Sequence, residues 1–200
     1  MKDKIKMIVF VLVLGSILTT SLVAVDALTN PYIAANQRKK LQSGILEAAG
    51  IKFTDANIEE VFSKQVQPRD FPQSLGQPGR KYYVTSAGDV IFEYRGSGFQ
   101  DEIYGTIALK ADMETIKGIS IVSQKETPGL GGRIGEPAFL GQFGNKKVVP
   151  ELRIAGEGKA SGDNEVNGMS GATMSCNAFQ DLLNSELKKY IPAIKEAIKK

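Results

Sequence analysis

Residues 7–25 (MIVFVLVLGSILTTSLVAV) are nineteen consecutive residues without a charge. A helix needs about 20 apolar residues to cross the hydrocarbon core of a bilayer, so this run commits the start of the chain to a lipid-facing helix. The run is longer than the roughly 7 to 15 residues of a signal-peptide core, which favours a retained anchor over a cleaved leader. Val25-Asp26-Ala27 is only a weak processing site. Lys2, Lys4 and Lys6 favour a cytoplasmic N-terminus, and Arg38, Lys39 and Lys40 beyond the run weaken that preference.

The remainder has room for one globular domain. Two hundred residues with 42% hydrophobic content can build one core plus a peripheral segment. The formal charge of +3 is spread thinly apart from Arg38-Lys39-Lys40 and Lys199-Lys200, so nucleic-acid binding is excluded. With no His and a single Cys, Cys176, the chain cannot build a zinc site, a Cys-x-x-Cys redox pair, an iron–sulfur ligand set or a His-based triad. Redox chemistry would need a borrowed cofactor. Cys176 falls in the expected first turn of the last helix, where a lowered thiol pKa is conceivable and a small packed residue is the preferred reading.

Local patterns predict an α+β fold: an N-terminal transmembrane helix, then a domain with an antiparallel sheet and flanking helices. Residues 31–50 read as a helix with Leu41, Ile45, Leu46, Ala48 and Ala49 at helical spacing and Gly50 as its stop. A short helix carrying Ile58, Val61 and Phe62 follows, and residues 67–80, with Pro68, Pro72, Gly76, Pro78 and Gly79, read as a linker. Strands are expected at 81–85, 90–94, 103–109 and 118–122, the third placing Ile103, Gly105, Ile107 and Leu109 on one face. Their short connections imply antiparallel pairing. Glu136-Pro137 opens a short helix through Phe143, residues 148–149 and 152–154 read as a last pair of strands, and 155–163 as a surface loop. The final helix begins near Thr173, buries Phe179, Leu182, Leu183, Leu187, Tyr190 and Ile191, and is expected to break or kink at Pro192. The expected organisation is an anchor over 1–30, juxtamembrane helices and linker over 31–79, and the main domain over 80–200.

Two apparent motifs fail. Residues 129–135 lack the third glycine of a dinucleotide loop, where Ile134 stands, and 163–168 lack the closing Glu of a calcium loop, where Met174 stands. Gly96-Ser97-Gly98-Phe99 is explained by a turn alone. The stretch from Asn167 to Ser175 (NGMSGATMS) is more informative. Ser170 can cap the following helix, Gly171 and Ala172 keep side chains clear of the backbone, and the helix N-terminus would favour a phosphate beside Thr173. On these grounds a plain cap and an anion site both remain open.

Ser-Gly-Ala-Thr-x-Ser at 170–175 resembles the flavinylation motif of FMN-binding domains, whose threonine is esterified to the phosphate of FMN. A second signature of that family stands upstream as Lys125-Glu126-Thr127-Pro128-Gly129-Leu130-Gly131-Gly132. Within the family the chain is similar to the C subunits of Na+-translocating NADH:quinone oxidoreductases, and next to the G subunits of Rnf ferredoxin:NAD+ complexes. The resemblance implies an electron-transfer subunit in the inner, cytoplasmic membrane. It would be single-pass with its domain on the periplasmic side, and would relay single electrons between subunits. It also implies FMN linked to Thr173 by a flavin transferase, with Ser170, Gly171, Ala172 and Ser175 completing the attachment motif. Glu126, Thr127, Gly129, Leu130 and Gly131 would then lie against the flavin. No metal and no separate substrate site are implied. Asn167 replaces the family's usual Asp, and Gln124 its frequent His. The contrasting reading is an anchored adaptor without redox function.

Overall fold

The computed structural model describes residues 2–72 and 80–198, so the expected linker residues Gly76, Pro78 and Gly79 and the closing Lys199-Lys200 lie outside the described residues. Two compact units are present, Met1–Lys39 and Lys40–Lys200. The first is helical. Helix α1 (Lys2–Ala48) contains a window of mean hydropathy 2.6 with none of it buried, and is long and apolar enough to cross a membrane. Pro31 lies within it without ending it. Gly50, at φ +68°, takes the left-handed conformation that stops the helix, as the sequence predicts.

The second unit divides from the first at 39/40 rather than at the 79/80 boundary suggested by the proline- and glycine-rich stretch. The reason is that the last turns of α1 and the residues after them belong to the folded body. Helix α2 (Ile58–Gln65) leads directly into β1 (Val66–Asp70), followed by β2 (Lys81–Thr85), β3 (Val90–Ser97), β4 (Glu102–Leu109) and β5 (Ile116–Ser123). These form one antiparallel sheet in the order β1-β2-β3-β4-β5. Strand β1 corrects the expectation of a linker from residue 67: it pairs from Val66↔Thr85 to Asp70↔Lys81 despite Pro68. An edge strand tolerates proline because the missing N–H would otherwise face away from the sheet.

Alternation along the strands separates two apolar layers. Tyr82, Val90, Phe92, Tyr94, Ile103, Ile107 and Leu109 face one core, while Tyr83, Ile91 and Ala108 face the other with Ile45, Leu46, Ala48 and Ala49 of α1 and Ile58 of α2. Close contact on the second side depends on Gly118, where a Cβ would lie 2.5 Å from the Ala48 carbonyl oxygen. The first side is covered by the 3₁₀ turn Gly131–Gly135, α3 (Pro137–Leu140), and α4 (Thr173–Ile198). Phe179 of α4 packs against Tyr94, Phe139 and Phe143 with ring centroids 5.8 to 6.3 Å apart.

Two details of the last third differ from expectation. Residues 148–149 are not a strand. Instead β6 (Arg153–Ala155) pairs in parallel with β7 (Glu165–Asn167). Side chains of α4 hold β6 in place: Asn184 accepts from the Leu152 N–H at 3.0 Å and donates to its carbonyl at 2.8 Å, and Gln180 accepts from the Ile154 N–H at 2.6 Å. Helix α4 also continues through Pro192 to Ile198, with Ala193 and Ile194 buried beyond the proline. Packing of that last turn outweighs the lost main-chain bond.

Gly118→Val is expected to destabilise the protein by about 1–3 kcal/mol through overpacking against α1, measured as a lowered denaturation midpoint in detergent.

Candidate functional site

The 167–175 stretch is delivered by β7 and received by α4. Asn167 exchanges main-chain bonds with the Gln142 amide and accepts the Ala160 N–H on its own Oδ1 at 2.9 Å, so it shapes the preceding loop. The Asp usual at this position in the family could accept that same N–H. Gly168 donates to the Ala155 carbonyl at 2.8 Å, and a Cβ there would lie 2.7 Å from that oxygen. Gly171, at φ +80°, turns the chain into α4. The helix begins at Thr173, and the Cys176 N–H bonds to the carbonyl of Ala172, which therefore holds the cap position expected for Ser170. The Ser170 N–H donates to the Glu157 carboxylate at 3.1 Å instead. Thr173 is exposed at the helix mouth, whereas Ser175 and Cys176 point into the protein. Burial pushes the Cys176 thiol pKa up, in keeping with a packed residue.

The upstream motif folds as a tight turn placed against this helix. The Leu130 N–H bonds to the Thr127 carbonyl at 3.2 Å, with Pro128 and Gly129 between them and Gly129 at φ +74°. That is the type II turn its residues predict. Gln124 secures the entry by accepting the Glu126 N–H at 2.6 Å. Glu126 is only 4% exposed. Its carboxylate accepts the Ser175 hydroxyl at 2.6 Å and the Gln100 N–H at 2.9 Å. Gly131 lets the two motifs meet, since a Cβ there would lie 2.2 Å from Ser175 Oγ.

A groove of about 380 Å³ opens between them. Its lining brings together Glu126, Thr127, Leu130, Gly131, Gly171, Ala172, Thr173 and Ser175, eight of the ten residues singled out in the sequence. Gly129 stays at the outer tip of its turn with open space around it, so its part is conformational. Ser170 lines an adjoining cavity of about 350 Å³ with Glu157, Lys159, Thr173 and Asn177. The groove also contains Phe99, Gln100 and Met174, which sequence reasoning passed over. The glycine-rich bend set aside as a mere turn is therefore part of the lining. An aromatic residue following Gly98, whose Cβ position is blocked by Glu126 Oε1 at 2.4 Å, was the available signal.

The groove suits a flat aromatic cofactor with a polar tail. Phe99, Leu130 and Met174 are 54%, 50% and 58% exposed around it, so apolar surface is available for a ring system. The Thr173 hydroxyl stands at the N-terminal end of a 26-residue helix, where a phosphate is electrostatically favoured. Among the described residues no cluster of His, Cys, Asp and Glu could hold a metal.

Comparison with known proteins agrees with this geometry. Residues 98–188, which span both motifs and the Phe99 bend, match the FMN-binding domain family. Residues 98–188 are thus similar to an FMN-binding domain, and in the sequence they follow an apolar N-terminal helix. Particular proteins the chain is similar to are C subunits of Na+-translocating NADH-quinone reductases. That of Vibrio anguillarum is 26% identical over 89% of this chain and 88% of its own length, and that of Yersinia pestis is 36% identical over 48% and 38%. The fold is that of the Shewanella oneidensis NqrC crystal structure (TM-score 0.70, 21% identity, 81% of this chain and 99% of that one). The corresponding reductase protein from Parabacteroides distasonis is also similar (TM-score 0.67, 22% identity, 78% and 91%).

Ser175→Ala removes one of two donors from a buried carboxylate. It is expected to cost about 1–3 kcal/mol of stability, read from equilibrium unfolding.

Proposed function

We propose that the chain carries FMN as a phosphoester on the Thr173 hydroxyl and acts as an electron-transfer subunit of a membrane NADH:quinone oxidoreductase coupled to Na+ translocation. The observation that carries this reading is an exposed threonine at the start of α4, opening on a groove whose opposite wall is the Glu126–Gly131 turn. Bound FMN supplies one-electron chemistry that no side chain here can supply, since the chain has no His and its one Cys is buried. The protein's part is to hold and tune. Leu130, Phe99 and Met174 cover apolar surface, the Thr127 hydroxyl can donate a hydrogen bond, and the helix end favours the phosphate. A covalent link keeps the cofactor at its groove without demanding tight binding from the walls.

The anchor reading follows from the same similarity. Helix α1 spans the inner membrane once with the N-terminus in the cytoplasm, and the FMN domain lies on the periplasmic side, among the other subunits of the complex. A flavin transferase installs the cofactor during maturation. The ion pathway belongs to other subunits, because the apolar run of α1 contains no charge.

The test is intact-mass measurement of the protein matured with a flavin transferase, together with a denaturing gel viewed under ultraviolet light. The expected result is an added mass of one FMN less one water and a fluorescent band. Thr173→Ala is expected to abolish both, and a band that fluoresces in that variant would place the attachment elsewhere.

A further inference from the structure

We propose that Glu157 and Arg133 are positioning residues for flavin attachment, holding the loop before α4 so that the Thr173 hydroxyl stays open to the transferase. This rests on the reading of Thr173 given above. Ser170 is held on both sides of its backbone. Its N–H donates to Glu157 Oε2 at 3.1 Å and its carbonyl accepts from Arg133 Nη1 at 3.4 Å. Hydrogen bonding from Ser170 holds the Glu157 carboxyl below the usual carboxylate range. The two charges come from separate parts of the chain. Glu157 belongs to the loop after β6, and Arg133 to the 3₁₀ turn after the Glu126–Gly131 motif. Glu136 steadies Arg133 at 3.7 Å, and Lys159 is the other charged residue lining the cavity that Glu157 shares with Thr173.

The local structure explains why such a clamp matters. Behind Thr173 the helix is fixed by Ser175, Cys176 and Phe179, all buried. In front of it Ser170 and Gly171 are exposed, and Gly171 is at a left-handed φ that a glycine readily leaves. Ala172 between them and Thr173 is buried and bonded to the Met169 carbonyl, and polar contacts to Glu157 and Arg133 hold the exposed part of the chain that leads to it.

Attachment forms one bond, from Thr173 Oγ1 to phosphorus, and breaks one, from that phosphorus to the bridging oxygen of a flavin diphosphate donor. The second phosphate leaves with the bonding electron pair, the hydroxyl proton passes to the transferase, and no group is oxidised or reduced. A free FMN phosphate would have to expel water, which is why the donor is a diphosphate. In-line displacement accepts the hydroxyl only along a narrow approach, so a displaced 170–171 wall slows the bond-forming step.

The full-length protein in detergent, a flavin transferase and a flavin diphosphate donor give the test, with covalent flavin followed by in-gel fluorescence. Glu157→Ala is expected to lower kcat for attachment by about tenfold, the scale of a small misplacement of a reacting group, with the donor KM and the melting temperature unchanged. Glu157→Gln keeps an acceptor for the Ser170 N–H and is expected to recover most of the rate, while Arg133→Ala lowers kcat in the same way. Attachment to Glu157→Ala at the original rate overturns the proposal, and so does a loss shared with KM and with thermal stability. An unsubstituted chain that accepts no flavin overturns the reading of Thr173 itself and is distinguished by that control.

Discussion

The hydrogen bond from Ser175 to Glu126 is the joint on which the site depends. A carboxylate removed from water is costly unless donors surround it, and here the donors are a hydroxyl on the first turn of α4 and the Gln100 N–H. Three stretches distant in sequence converge on that one group: the bend at 98–100, the turn at 124–131 and the mouth of the last helix. The absence of a side chain at Gly131 lets them close to contact distance. The two sequence motifs are therefore halves of a single packing arrangement, and the groove is the space left between them.

Helix α4 serves the core and the site at once. From Phe179 to Ile194 it fills the larger apolar layer, and through Asn184 and Gln180 it fastens β6. Strand β6 in turn pairs with β7, which leads into the attachment stretch. The loop that ends at Thr173 is thus suspended between two supports that both refer back to the same helix. This differs from a site assembled on independent loops, where each wall can move alone.

The sheet was legible in the sequence where β-branched and large apolar residues alternate with smaller or polar ones between turn signals. Ile103, Gly105, Ile107 and Leu109 on one face of β4 are the clearest case. Strand β1 was hidden because four of its five residues are exposed and one is proline, so an edge strand carries the composition of a linker. The β6–β7 pair was hidden for another reason: strands of three residues held by side chains on a helix some 26 to 32 positions away leave no local period to read. In the site, the two motifs were recognisable as text and the structure brings them together. Gln100 contributes through its main-chain N–H, which has no signature in sequence. Ser170 looked like a cap, but the chain enters α4 two residues later than a cap at that position would require.

The last turns of α1 have a bearing on how the domain can be handled apart from lipid. Ile45, Leu46, Ala48 and Ala49 have essentially no surface of their own, and they shield Ile91 and Ala108 on the sheet. Proteolytic release upstream of Leu41 would leave that seal intact and yield a water-soluble fragment. Severing the chain at Gly50 would bare an apolar sheet face, turning a well-behaved fragment into one that self-associates.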